Sequence, residues 1–134
     1  MGEHEVVKAS QRPWFASDVD RMAKDLGVAD GDTVIVHTRM SAMGWVCGGA
    51  QAVVEGLLSS IGARGTLVMP AHSGANSDPA QWCNPPVPEE WWEPIRQNSP
   101  AFSEYRTPTR GIGSVAELFR TWPGALRSAH PSGS

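Results

Sequence analysis

A chain of 134 residues is long enough for one domain around one modest core, and its net charge of −3 argues against nucleic acid as the main partner, because phosphate binding needs a basic face. Its longest apolar runs are strand-sized, so no membrane span is expected, and the first residues lack the apolar stretch of a signal peptide. Two cysteines, Cys47 and Cys83, form neither a disulfide framework nor a Cys-x-x-Cys pair, which fits a reduced, cytoplasmic protein with no metal site.

In chain order, Met1 to Arg12 is polar and is expected to fray. Ser17 to Leu26 carries a helix signature: Ser17 as N-cap, Asp18 and Asp20 in the first turn, and Val19, Met22, Ala23 and Leu26 on one face, with Gly27 as the stop. Thr33-Val34-Ile35-Val36 is a continuous β-branched run after Asp30-Gly31-Asp32, and reads as a strand, ending at His37, buried on both faces. A polar turn comes next, in which Gly44, Gly48 and Gly49 allow close backbone approach before a helix begins near Ala50. The spacing is not the Gly-x-Gly-x-x-Gly of a dinucleotide site, and an ordinary turn would read the same way.

Ala50 to Ile61 is the next predicted helix, with Val53, Val54, Leu57, Leu58 and Ile61 as its apolar stripe. Thr66-Leu67-Val68-Met69 is a second buried strand, stopped by Pro70. Strand, helix and strand at this spacing make a βαβ unit with parallel strands. The fold class is therefore α/β: a βαβ-containing sheet with flanking helices. In such a unit a ligand lies beyond the carboxyl ends of the strands. Those ends lead into His37-Thr38-Arg39-Met40-Ser41 and Ala71-His72-Ser73-Gly74, two polar loops brought to one sheet edge. The site is placed there.

The rest of the chain differs in character. Six tryptophans and eleven prolines are concentrated after residue 79, and Ser77 to Pro88 cannot be regular structure because its prolines remove donors and fix φ. Glu89 to Glu93 is expected to begin a short helix with Ile95 inward. Thr107 to Gly113 is another glycine-marked turn. Ser114 is predicted to cap a helix through Arg120, with Glu117 completing a capping box. Long structured loops of this kind are often functional.

Taken together, these segments resemble the N-terminal half of the aminoglycoside 3-N-acetyltransferases. The resemblance is carried by Val36 to Gly44 with Val46 and Gly48-Gly49, and by Gly65 to Pro70 with His72-Ser73. It continues through Asp78 to Trp82, Asn84 to Pro88, Thr107 to Gly111, Glu117 to Gly124, Arg127-Ser128 and His130-Pro131. It covers most of the chain in one order. Members of the family are longer, and the histidine and acidic residues usually given the general-base role lie in the half with no counterpart here. The resemblance thus implies one apparently truncated domain over residues 1–134.

It also implies a reaction: an acetyl group passes from acetyl-CoA to the 3-amino group of a 2-deoxystreptamine aminoglycoside, giving antibiotic resistance. The implied partners are these two small molecules, with neither nucleic acid nor membrane; the oligomeric state is left open. The amine must lose a proton as it attacks the thioester, and the phosphates of CoA call for backbone N–H groups and arginines. Thr38, Arg39, Met40, Ser41, Gly44, Val46, Gly48, Gly49, Thr109 and Arg110 are the candidates for holding the cofactor. Asp78, Trp82, Glu89 and Glu93 offer acidic and flat aromatic surface to a polycationic sugar. No general base is fixed; His37, His72 and His130 are the candidates, each readable as an ordinary structural histidine. A non-catalytic module binding CoA or aminoglycoside, or an acyltransferase for another amine, would use the same residues.

Overall fold

The computed structural model describes residues 2–131. Its elements are α1 (Glu3–Ala9), α2 (Ala16–Asp25), β1 (Thr33–Ile35), α3 (Met40–Met43), α4 (Gly49–Ile61), β2 (Thr66–Val68), α5 (Trp92–Asn98) and α6 (Gly113–Phe119). Single 3₁₀ turns at Gly74–Asn76, Pro79–Gln81 and Glu89–Trp91 punctuate the proline-rich stretch. The α/β reading holds: β1 and β2 are parallel neighbours, with Thr33, Val34 and Ile35 opposite Thr66, Leu67 and Val68. The ladder runs on past both strands, through Thr66 N–H to the Asp32 carbonyl and Val36 N–H to the Val68 carbonyl, each 2.9 Å.

The expected helix between the strands is α4, and its apolar stripe forms the middle of the core. Val53, Val54, Leu57 and Ile61 are buried together with Val19 of α2, Leu67 of β2 and Val115 of α6. Burial of such side chains, about 1.5–3 kcal/mol each, is what holds three short helices and two three-residue strands in one body.

Four expectations need correction. Neither Thr33–His37 nor Thr66–Met69 is buried on both faces: Val34 and Leu67 pack towards the core, whereas Ile35 of the first is 69% and Val68 of the second 38% exposed. A β-branched run reads alike whether one face or two are covered, and here α4 covers one. Of the stretch Met1 to Arg12, Met1 lies outside the described residues, and Gly2 to Arg12 is not a frayed tail, because α1 is anchored at long range. Ser10 Oγ donates to the Val6 carbonyl at 2.7 Å and accepts the Trp45 N–H at 2.8 Å, and Glu3 accepts the Trp45 indole N–H at 3.1 Å.

Ser17 does not cap α2. The helix starts one residue earlier, and Asp18 reaches back to accept the Phe15 N–H at 2.9 Å while Arg12 grips the same carboxylate through two bonds of 2.9 and 3.0 Å. Ser114 does not cap α6 either. That helix has no side-chain cap, and Glu117 bonds elsewhere.

Candidate functional site

The carboxyl end of β1 opens into a cavity of about 460 Å³. One wall is the strand's continuation, Val36 to Ser41, which turns into α3; the other is residues 111–114, the turn that enters α6; Pro70, just after β2, closes the floor. This is the edge where the βαβ arrangement puts a ligand. His37, Thr38, Arg39, Met40 and Ser41 all line it, and Arg39 Nε bonds Ser41 Oγ at 3.3 Å.

Residues 111–114 come from a part of the sequence read only as a turn and a cap. The signal was present in Gly111 and Gly113, whose φ values of 76° and 87° are left-handed, a backbone that side chains other than glycine rarely adopt. Together they swing the chain from Arg110 across to the mouth of β1. Thr109 and Arg110 sit just outside the cavity wall, on the approach to it. The Arg110 N–H donates to the His72 carbonyl at 2.9 Å, its guanidinium Nη2 donates to the Asn84 carbonyl at 3.1 Å, and its stem packs on Gly74.

The remaining glycine-loop candidates are placed elsewhere. Gly44 belongs to a second cavity of about 460 Å³ on the other side of α3, shared with Ser10, Arg12, Trp14 and Ser41. The Val46 side chain is buried in the core, and its backbone forms a bridge with Trp14. Gly48 and Gly49 shape the entry to α4. A larger groove of about 680 Å³ runs beside β2, walled by Leu58, Met69, Phe119, Trp122 and Leu126. It is mostly apolar, and its two guanidiniums, Arg120 and Arg127, are already bonded to the protein.

The three candidate histidines fall on three different loops. His37 lines the cavity. His72 lies on the loop that receives Arg110, and His130 precedes Pro131, whose carbonyl accepts a bond from the buried Ser73 hydroxyl. Pro131 is thereby tied to the Ala71–Ser73 loop, one of the two loops expected at the site edge.

The acidic and aromatic candidates gather on the proline-rich segment. Asp78 accepts the Ala80 N–H at 3.0 Å and pairs with Arg96 at 2.9 Å, and these contacts, the first being the larger, hold its carboxyl below the usual range. Arg96 also reaches Glu93 at 3.5 Å, and the Trp82 indole N–H donates to Ser77 Oγ at 2.8 Å. Glu89 opens the 3₁₀ turn before α5 and is exposed. The segment meets the cavity region through Arg110 and Asn84. Among the described residues, no group of three or more His, Cys, Asp or Glu stands ready to hold a metal, and no helix is long and apolar enough to cross a membrane.

Comparison with known proteins gives this geometry a context. The SPbeta prophage-derived aminoglycoside N(3')-acetyltransferase-like protein YokD of Bacillus subtilis (strain 168) is 45% identical over 128 residues, 95% of this chain and 47% of the relative. Its crystal structure superposes with a TM-score of 0.91, at 44% identity, over 97% of this chain and 48% of its own. AAC-VIa bound to sisomicin and AAC-IIIb in a binary complex with CoASH each give a TM-score of 0.75, at 34% and 28% identity, over 91% of this chain and 44% of theirs. The chain spans about half the length of the curated relatives it matches. The model of the aminoglycoside 3-N-acetyltransferase family matches residues 35–134, from the strand that opens the cavity onwards, and the chain belongs to that family.

Proposed function

We propose that this chain supplies the acetyl-CoA site of an enzyme that acetylates the 3-amino group of 2-deoxystreptamine aminoglycosides, conferring resistance to them. One observation carries the reading: the cavity at the carboxyl end of β1, where His37 to Ser41 face residues 111–114. The Thr38-Arg39 backbone and the Ser41 hydroxyl supply polar contacts for the thioester end of acetyl-CoA. Arg110 and Arg39 stand at its margin as partners for the phosphates. The relative solved with CoASH, AAC-IIIb, supports the choice of cofactor, and AAC-VIa, solved with sisomicin, supports the class of acceptor.

The acceptor is assigned to the proline-rich segment. Asp78, Glu89 and Glu93 offer carboxylates to its ammonium groups, and Trp82 offers a flat face. Transfer then asks for removal of one proton from the attacking amine and for donors at the developing oxyanion. His37 is the histidine in the cavity wall and the base this chain can itself present. The whole reading places the reaction in the cytoplasm.

Thiol release from acetyl-CoA by the 134-residue chain, with and without sisomicin, tests the proposal. Sisomicin-dependent release assigns the base to this chain, and its loss in His37→Gln identifies it. Acetyl-CoA binding without release places the base in the part of the relatives that this chain does not span. Absence of any acetyl-CoA binding overturns the assignment of the cavity.

A further inference from the structure

Glu117 turns its carboxylate in an unexpected direction. A cap at Ser114 would put it in the helix's first turn, yet α6 starts at Gly113, which makes Glu117 its fifth residue, and the helix has no side-chain cap. One oxygen, Oε2, instead accepts three donors: the Thr109 N–H at 2.7 Å, the Thr109 hydroxyl at 2.6 Å and Arg120 Nε at 2.9 Å. Arg120 continues outward through Nη1 to the Tyr105 carbonyl at 3.0 Å, and Arg127 holds the Thr107 carbonyl at 2.5 Å. The strand of chain arriving at Arg110 is thus fixed at residues 105, 107 and 109.

Beyond Arg110 the chain becomes the cavity wall. Residues 111–114 line the site directly, and Arg110 itself bridges the His72 and Asn84 carbonyls. At Gly111 and Gly113 this wall has no side chain of its own to brace it. The Glu117–Thr109 contact is the fixed point from which it departs. Arg120 neutralises the carboxylate locally, so an anion at the site meets no uncompensated negative charge from this anchor.

We propose that Glu117 is a positioning residue for the cofactor: by binding both donors of Thr109 it sets the turn that aims Arg110 and residues 111–114 at the phosphates and thioester of acetyl-CoA. The inference rests on the reading of the cavity as the acetyl-CoA site. It deepens that reading by separating the side chain that touches the cofactor, Arg110, from the one that aims it.

The experiment is calorimetric titration of CoA into the wild-type chain, Glu117→Gln, Arg110→Ala and the double variant, at two salt concentrations. Glu117→Gln is expected to weaken CoA binding about tenfold, the size of one charge-assisted contact misplaced. It should also lose the salt sensitivity that Arg110→Ala loses. The double variant should bind no more weakly than Arg110→Ala alone, because the two residues act through one contact. Glu117→Gln binding CoA as wild type does, or losses that simply add, overturns the proposal. If Glu117→Gln fails to fold, Thr109→Val, which removes one donor, is titrated in its place, with a several-fold loss expected and unchanged binding overturning the idea. A wild-type chain that binds no CoA sinks the reading of the cavity itself. Amide exchange then decides the anchor separately: residues 109–113 exchanging no faster in Glu117→Gln than in wild type overturns it.

Discussion

Gly56 on α4 has no room for a methyl group because Val19 on α2 occupies the space. A Cβ there would stand 2.6 Å from Val19 Cβ and 2.5 Å from the Ala16 carbonyl oxygen. Both residues lie in the buried seam between the two helices. In a helix interior alanine ordinarily gains about 0.5–1 kcal/mol over glycine. Here the obstacle is backbone and a fully buried valine, so overpacking of about 1–3 kcal/mol outweighs it. Gly56→Ala is expected to lower stability in chemical denaturation; equal or greater stability would show that α2 can retreat.

Arg127 ties three stretches together. Its guanidinium donates to the Ala71 carbonyl at 2.8 Å and to the Thr107 carbonyl at 2.5 Å, and it lies 5.0 Å over the Phe102 ring. Burial pulls its pKa down from the usual arginine value, though the group stays charged. A lysine carries the charge but cannot reproduce the fork or the stacking. Arg127→Lys should therefore cost about 2 kcal/mol or more in urea unfolding. A neutral result would assign the site's integrity to the surrounding loops instead.

Acid should loosen the protein in a defined window. Arg12 before all else holds Asp18 at about 2 against an ordinary 3.8, and Arg120 holds Glu117 at about 2 against 4.5. Both folded-state values are depressed, so both groups contribute stability that is complete above about 4.5 and is lost as pH falls towards 2. Urea midpoints measured from pH 6 to pH 2.5 should fall through that window. Asp18→Asn should start lower and fall less steeply. A variant whose acid limb parallels the wild type would remove Asp18 from the account.

Asp78 separates a binding role from a structural one. The pair with Arg96 is exposed, 48% and 40% for the two side chains, and solvent screens such pairs so that they add little to stability. Asp78→Asn should consequently leave thermal stability nearly unchanged while weakening the response to sisomicin several-fold. CoA affinity should not move. Equal sisomicin binding in both proteins would leave Asp78 as the cap of the Pro79–Gln81 turn and nothing more.

Much of the central architecture was legible because it is written in local periodicity. The stripe Val53-Val54-Leu57-Leu58-Ile61 announces α4, and the Thr66-Leu67-Val68 run announces β2, whose neighbours in space come from the βαβ rule. The same rule placed His37 to Ser41 at a site edge, where the cavity is found. What escaped depends on distant partners. α1 owes its order to Trp45, between thirty-five and forty-two positions away, which no window of sequence contains. Glu117 has the spacing of a capping box, but Thr109 offers two donors at once and wins the carboxylate. Gly44, Gly48 and Gly49 looked like one ligand loop; α3, a single helical turn, parts them from the cavity.

The register Thr33 opposite Thr66 carries a consequence for the order of assembly. Every rung of the ladder closes a loop of 33 residues, at an entropic cost of about 3 kcal/mol before the first strand bond is made. Three rungs on a strand pair exposed on one face cannot recover that cost on their own. The docking of α2 on α4 through Val19 and Gly56 closes a loop of similar length, but it joins a helix whose own bonds are local and buries far more apolar surface. We expect pulse-labelled amide exchange to protect Ala52 to Leu57 before Thr33 to Ile35, making the sheet the last part of this core to form; simultaneous protection would mean that strands and helices condense in one step.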